Sequence, residues 1–224
     1  MNRLQRITLL FGKTAISKLQ QSTVMVVGCG AVGSFACEAL ARSGIGHLIL
    51  VDFDNVEESN INRQLFALDS TVGMPKVTVA KQRIHDINPN IVVDTFNMFF
   101  DENNALDVKP DFVIDAIDTV KSKIALYKWC SDKGVRFVSS MGAARKTDIT
   151  KIKIDKISKT SVCPLASKIR HEIRNLRLPD FPVAYSTENA VAQQTGGREF
   201  GSIVTVTGAF GLILADYVIK KLIQ

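Results

Sequence analysis

Gly28-Cys29-Gly30-Ala31-Val32-Gly33 decides how this chain is read. The turn follows the β-branched run Thr23–Val27 and opens a helical pattern over 31–42, which Gly44 and Gly46 close. In such a strand–turn–helix the first glycine permits the tight turn and the second lets phosphate approach the backbone. The third lets helix and strand pack closely. The helix start then offers N–H groups and the positive end of its dipole to phosphate oxygens. A second apolar run, 47–52, ends at Asp52, where a carboxylate can accept hydrogen bonds from ribose hydroxyls. Gly28, Gly30, Gly33 and Asp52 are therefore the first candidates for nucleotide binding. By itself the turn does not choose between NAD and ATP.

Working outward, Pro75 opens a helical pattern to about residue 87, and strand patterns follow at 91–96, 112–117 and 135–139, with a helix at 120–132. This alternation predicts an α/β fold: a Rossmann-like, mainly parallel sheet with helices on both faces, binding its ligand at the carboxyl ends of the strands. The pattern changes after Gly142. Residues 151–157 alternate as a half-exposed strand, and Pro164 opens a helix to about 176. Its Leu165, Ile169, Ile173 and Leu176 fall on one face, with Arg170, Arg174 and Arg177 opposite as an exposed basic stripe. Residues 179–201 read as a long loop holding a short strand at 183–186, and 203–219 as a buried terminal helix rather than a membrane span. The chain thus divides into a nucleotide-binding core, 1–142, and a mixed C-terminal extension, 143–224, packed on the same domain.

At 224 residues, with 46% hydrophobic, the chain has enough apolar side chains for a full core. No export signal stands at the N-terminus, which points to the cytoplasm and to reduced thiols. Cys29, Cys37, Cys130 and Cys163 form no C-x-x-C pair, so no zinc site is expected, and Cys37 and Cys130 read as small core residues. Ten basic residues lie between Arg145 and Arg177 against Asp148, Asp155 and Glu172. Segment 145–177 therefore carries +7 and the rest of the chain −1. A field gathered this way suits a polyanion such as a nucleic acid.

The stretch after the second strand separates ATP from NAD. Asp52-Phe53-Asp54-Asn55-Val56-Glu57-Glu58-Ser59-Asn60-Ile61-Asn62-Arg63-Gln64 leads to Pro75-Lys76. A dinucleotide's diphosphate is already held by the helix start, whereas a triphosphate with a pyrophosphate leaving group calls for further cations. Arg63 can grip phosphate bidentately and Lys76 acts as a point charge. Asp115 and Asp118 end the fourth strand pattern. Magnesium takes one or two carboxylates plus phosphate oxygens, and Asp118, just past the strand, is the better ligand. Asp115 reads equally as a structural carboxylate.

Over residues 3–142 these motifs, G-x-G-x-x-G, D-x-D-x-V-x-x-S-N-x-N-R-Q, G-x-x-K and D-A-x-D, resemble the ubiquitin-activating-enzyme-like adenylyltransferase superfamily. The resemblance implies an ATP- and Mg2+-dependent enzyme that converts a carboxylate into an acyl-adenylate. Asp54, Asn60 and Gln64 would join the nucleotide site, Arg63 and Lys76 would grip the triphosphate, and Asp118 would hold the metal. It also implies a homodimer in which Arg6, within Arg3–Gly12, reaches the other subunit's triphosphate; the bland alternative is a flexible basic terminus. In the second half, residues 159–170, Tyr185-Ser186-Thr187-Glu188, Phe200-Gly201-Ser202 and 205–211 resemble the tRNA threonylcarbamoyladenosine dehydratase branch, with Cys163 where that branch usually has aspartate. The implied reaction is attack of a threonyl carboxylate on the α-phosphate, followed by ring closure within the nucleoside and loss of AMP. The tRNA would lie on the 145–177 segment, including Arg170, Arg174 and Arg177. A sulfur-relay protein is a further partner left open. The competing substrate is the C-terminus of a ubiquitin-like or sulfur-carrier protein. Against it stand the missing zinc pairs and the lack of a convincing thioester cysteine.

Overall fold

The computed structural model describes residues 3–104, 106–194, 196 and 200–224. Strands β1 (Thr23–Val27), β2 (His47–Val51), β3 (Val92–Phe96), β4 (Phe112–Asp115), β5 (Arg136–Ser140), β6 (Ile152–Lys156) and β7 (Pro182–Ser186) form one sheet in the order β3-β2-β1-β4-β5-β7-β6. All neighbours are parallel except the antiparallel β6–β7 pair. The central strands are Val/Ile/Leu runs buried on both faces, as a parallel sheet between helices requires. Residues beyond 142 extend this same sheet: β7 pairs with β5 through Ser139–Val183 and Ser140–Ala184. β6 forms the outer edge, and its exposed Lys153 and Lys156 blunt that edge against further pairing.

Helices α1 (Gln5–Gln21), α2 (Gly33–Ser43), α3 (Lys76–Ile87), α4 (Val120–Lys133), α5 (Pro164–Asn175) and α6 (Val204–Ile223) cover the faces. α6 packs mainly on α2. A methyl group on Gly211 would lie 2.3 Å from the Val32 carbonyl oxygen, and one on Gly208 would lie 3.1 Å from the Phe35 ring. The two glycines, one helical turn apart, let α6 lie directly on the helix that starts at the phosphate turn. Among the described residues no helix is long and apolar enough to cross a membrane.

One alternative falls and one expectation changes. The N-terminal segment is a helix, with a break at Gly12 (φ 84°), not a flexible terminus. Leu4, Ile16 and Leu19 are buried beneath it, and the Lys18 ammonium donates to the last carbonyls of α6, Ile223 (2.9 Å) and Gln224 (3.1 Å). The arginine stripe on α5 does not hold together. Arg170 is half-buried and donates to the Thr160 carbonyl at 3.0 Å and to its hydroxyl, because α5 lies on the loop that precedes it. α5 ends at Asn175, so Arg177 lies beyond the helix with φ 55°. Arg174 alone of the three projects from the helix as an exposed residue, while Ala166, Ile169 and Ile173 are buried on the opposite side.

Candidate active site

The carboxyl ends of β2, β1, β4 and β5 open into a cleft of about 1160 Å³. At one end stands the glycine turn. Gly28 has φ 92°, and a side chain there would meet the Ala116 carbonyl oxygen at 2.7 Å. A methyl on Gly33 would be 1.7 Å from the Gly28 carbonyl oxygen, so helix and strand approach as the motif requires. Gly30 differs: its nearest neighbour would be the Gln64 amide nitrogen at 3.7 Å, so the space where its side chain would stand is open cleft. That is the cradle expected for a phosphate.

Asp52 shapes this turn from below. Its carboxylate accepts from the Cys29 N–H at 2.5 Å and the Asp54 N–H at 2.9 Å. Burial raises its pKa above the usual carboxylate range, against the lowering effect of those two N–H groups and the Lys76 charge. The next loop is strapped to the start of α3: Val56 N–H donates to the Met74 carbonyl and Lys76 N–H to the Asp54 carbonyl, at 2.9 and 3.0 Å. The strap brings Lys76, buried with only 5% exposure, to a 2.7 Å ion pair with Asp54. Arg63 donates to the Ser59 carbonyl (2.7 Å) and the Asn62 side chain (2.9 Å), and Asn60 and Gln64 are buried beside it.

Of the residues expected at the site, Gly28, Gly30, Asp52, Asp54, Asn60, Arg63, Gln64, Lys76 and Asp118 all line the cleft. Gly33 lies behind the wall as a packing residue, and Arg6 is on the exposed face of α1, outside it. Arg170, Arg174 and Arg177 do not reach it. Asp118 is exposed in the loop from β4 to α4, and a single carboxylate facing a phosphate site fits magnesium. Asp115 belongs elsewhere. Its fully buried carboxylate pairs with fully buried Lys123 at 2.8 Å and accepts from the Tyr127 and Ser139 hydroxyls at 2.8 and 2.6 Å. Its other oxygen accepts from Ile117 N–H at 3.0 Å, fixing the start of the loop that carries Asp118.

The far wall combines the second-half motifs, namely the start of α5 with Cys163 and Lys168 and Phe200–Ser202, with residues 140–146 at the end of β5 and after it, of which 140–144 had not been singled out. The signal available was Gly142-Ala143-Ala144, a small-residue turn at the carboxyl end of a parallel strand, where such sheets bind ligands. All four cysteines are free and buried. Cys29 is pushed up first by its hydrogen bond with Cys37 and then by burial, and burial pushes Cys130 far above the usual thiol range. None of these thiols is placed as an exposed nucleophile. Cys163 precedes α5 without capping it and packs toward Gly142.

The model of one family, ThiF, matches residues 3–224. The chain belongs to the ThiF family. Along its full length this ThiF-family chain is 49% identical to the tRNA threonylcarbamoyladenosine dehydratase of Bacillus subtilis (strain 168), covering 96% of that protein. It is 34% identical to the Escherichia coli (strain K12) protein of the same name, over 95% of this chain and 90% of that one. The crystal structure of E. coli tRNA N6-threonylcarbamoyladenosine dehydratase in complex with ATP superposes with a TM-score of 0.92 at 34% identity, covering 98% of this chain and 93% of that chain. A ThiF-family Rossmann-like sheet accounts for both the nucleotide turn and the added C-terminal strands.

Proposed function

We propose that this chain dehydrates threonylcarbamoyladenosine in tRNA, using ATP to activate the threonyl carboxylate as an acyl-adenylate. The observation that carries the reading is the meeting in one cleft of Gly30, Asp52, Arg63, Lys76 and Asp118, beside a second wall able to hold the acceptor. Likeness over the whole chain to dehydratases of that name supports it.

The carboxylate oxygen attacks the α-phosphorus and pyrophosphate leaves. A nitrogen of the same nucleoside then attacks the acyl carbon, the C–O bond to phosphate breaks, and AMP departs with the carboxylate oxygen. The nucleoside loses one water overall. Arg63 and Lys76 neutralise charge on the phosphates, and Asp54 keeps the Lys76 ammonium in place. The remaining contribution is positioning, since no covalent enzyme intermediate is needed. Incubation with ATP, magnesium and modified tRNA tests the reading: nucleoside mass spectrometry should show loss of one water, and an unchanged nucleoside would overturn it.

Asp118 is the proposed magnesium residue, and the ion would offset triphosphate charge when bound. Asp118→Asn should leave the melting temperature unchanged, because the side chain is exposed, while activity falls and requires more magnesium. An unaltered magnesium titration would assign the metal to another group.

The enzyme is further proposed to act in the cytoplasm as a homodimer. Leu9 and Leu10 are 77% and 74% exposed on α1, beside Arg6, and a second subunit would cover them. Arg6 would then act in the partner's cleft. Purified mixed dimers of Arg6→Ala and Lys76→Ala subunits should keep about half of wild-type activity, since one of the two sites escapes both changes. Inactive mixed dimers would place Arg6 in its own subunit's site. The tRNA backbone would meet exposed cations of the extension such as Lys168 and Arg174, with Arg177 beyond the helix end.

A further inference from the structure

We propose that Arg145 and Phe200 form a stacking platform for the base of the reacting nucleoside; this rests on the function proposed above and adds the acceptor's binding site. Phe200 is 66% exposed, yet it lines the active-site cleft rather than a general surface. The Arg145 guanidinium carbon lies over its ring, 6.0 Å from the centroid. Both stand on the wall beyond Asp118, across from the nucleotide turn. At the nucleotide end, beside Asp52, a separate exposed aromatic pair, Phe53 and Phe99 (4.9 Å), lines the cleft. The ring at Phe200 is therefore not needed for the adenine of ATP.

The backbone at Arg145 supports a ligand-holding role. Its φ is +59°, a conformation that side chains with a Cβ adopt rarely. Three hydrogen bonds hold it there: Arg145 N–H to the Gly201 carbonyl, Arg145 Nε–H to the Val191 carbonyl, and Val191 N–H to the Arg145 carbonyl, each 2.9 Å. Strained residues fixed by their surroundings in this way cluster at ligand clamps. Neighbouring charges are spent on the same loop. The buried Lys146 ammonium donates to the Glu188 carbonyl, and the Glu188 carboxylate accepts from Thr147 and Asp148 N–H groups at 3.0 and 3.1 Å. The loop after β5 is thereby tied to Glu188, Val191 and Gly201, and the platform is built before any ligand arrives.

An exposed aromatic ring beside a guanidinium plane is the chemistry that holds an unstacked RNA base. A flexible Gly-Gly protein tail has no aromatic ring to use it. The acceptor base would stack on Phe200, with Lys168 on the same wall toward the RNA backbone and the attached carboxylate directed toward the phosphates.

The test uses an anticodon stem-loop with 2-aminopurine in place of the reacting adenosine, whose fluorescence is quenched by stacking. Wild type should quench it. Phe200→Leu should abolish the quench and weaken binding about ten-fold, and Phe200→Trp should preserve both. Arg145→Gly, which accepts the positive φ, should also weaken binding, while calorimetry shows ATP affinity unchanged in all variants. Equal quenching by wild type and Phe200→Leu would overturn the platform. The same proteins are then given ATP and fully modified tRNA. A wild type that quenches the probe but removes no water would overturn the dehydration reading and leave the platform standing.

Discussion

Lys76→Ala is expected to lower kcat by about 10²–10³-fold, the loss typical of a preorganised charge aimed at a transition state. Lys76 is buried at 5% exposure, so its ammonium acts with little screening by water. It is held by Asp54 at 2.7 Å and by its own N–H on the Asp54 carbonyl at 3.0 Å. As pyrophosphate leaves, negative charge grows on the phosphates. An interaction that strengthens during the reaction lowers kcat when lost, more than it weakens substrate binding. Stability should change little, because the Asp54 side chain left behind is 45% exposed and rehydrates. Lys76→Arg should not rescue, since a planar fork does not fit a buried position shaped for a compact ammonium. Single-turnover kinetics check this, and a kcat near wild type would remove Lys76 from the phosphate site.

Lys123→Met is expected to destabilise the fold by about 3–5 kcal/mol, the range for removing one partner of a buried ion pair. Lys123 and Asp115 are both fully buried and 2.8 Å apart. The ammonium also donates to the Ser140 carbonyl at 2.8 Å and the Ser139 hydroxyl at 3.2 Å. Without it, the Asp115 carboxylate keeps only hydroxyl and amide donors for a full charge. The Tyr127 phenol stays a neutral donor to Asp115, because burial first, and then the Asp115 charge, push its pKa well above the usual phenol range. Lys123→Met with Asp115→Asn should regain part of the loss, because no unpaired charge remains. Urea titration reads both variants, and a single mutant as stable as wild type would mean that water reaches Asp115.

Both residues show what the sequence could and could not convey. The strands were legible because apolar runs such as Val24–Val27 and Leu48–Val51 end at glycine or aspartate, and their bounds shifted by at most two residues. The gathering of the nucleotide-wall residues in one cleft was legible because they come in order from two strand ends and one helix start. Helix α1 was not legible: Leu9, Leu10 and Phe11 are exposed, Gly12 interrupts the helix, and no single apolar face stands out. The end of α5 was legible to within a residue, so Arg177 never belonged to a helical stripe, and the spacing could not show that Arg170 turns back onto Thr160. Asp115 showed a carboxylate at a strand end, while the burial that makes it structural depends on Lys123, Tyr127 and Ser139 meeting it in space. The Asp54–Lys76 and Arg145–Phe200 pairs likewise arise from tertiary contacts between segments far apart in the chain.

The proposed chemistry turns on one step, activation of a carboxylate as an acyl-adenylate. The most direct test is to place ¹⁸O in the threonyl carboxylate of the modified tRNA, allow a single turnover with ATP, and determine the mass of each product. Attack on the α-phosphorus predicts one labelled oxygen in AMP and none in pyrophosphate. Label in inorganic phosphate or pyrophosphate, or unlabelled AMP beside a dehydrated nucleoside, would contradict it.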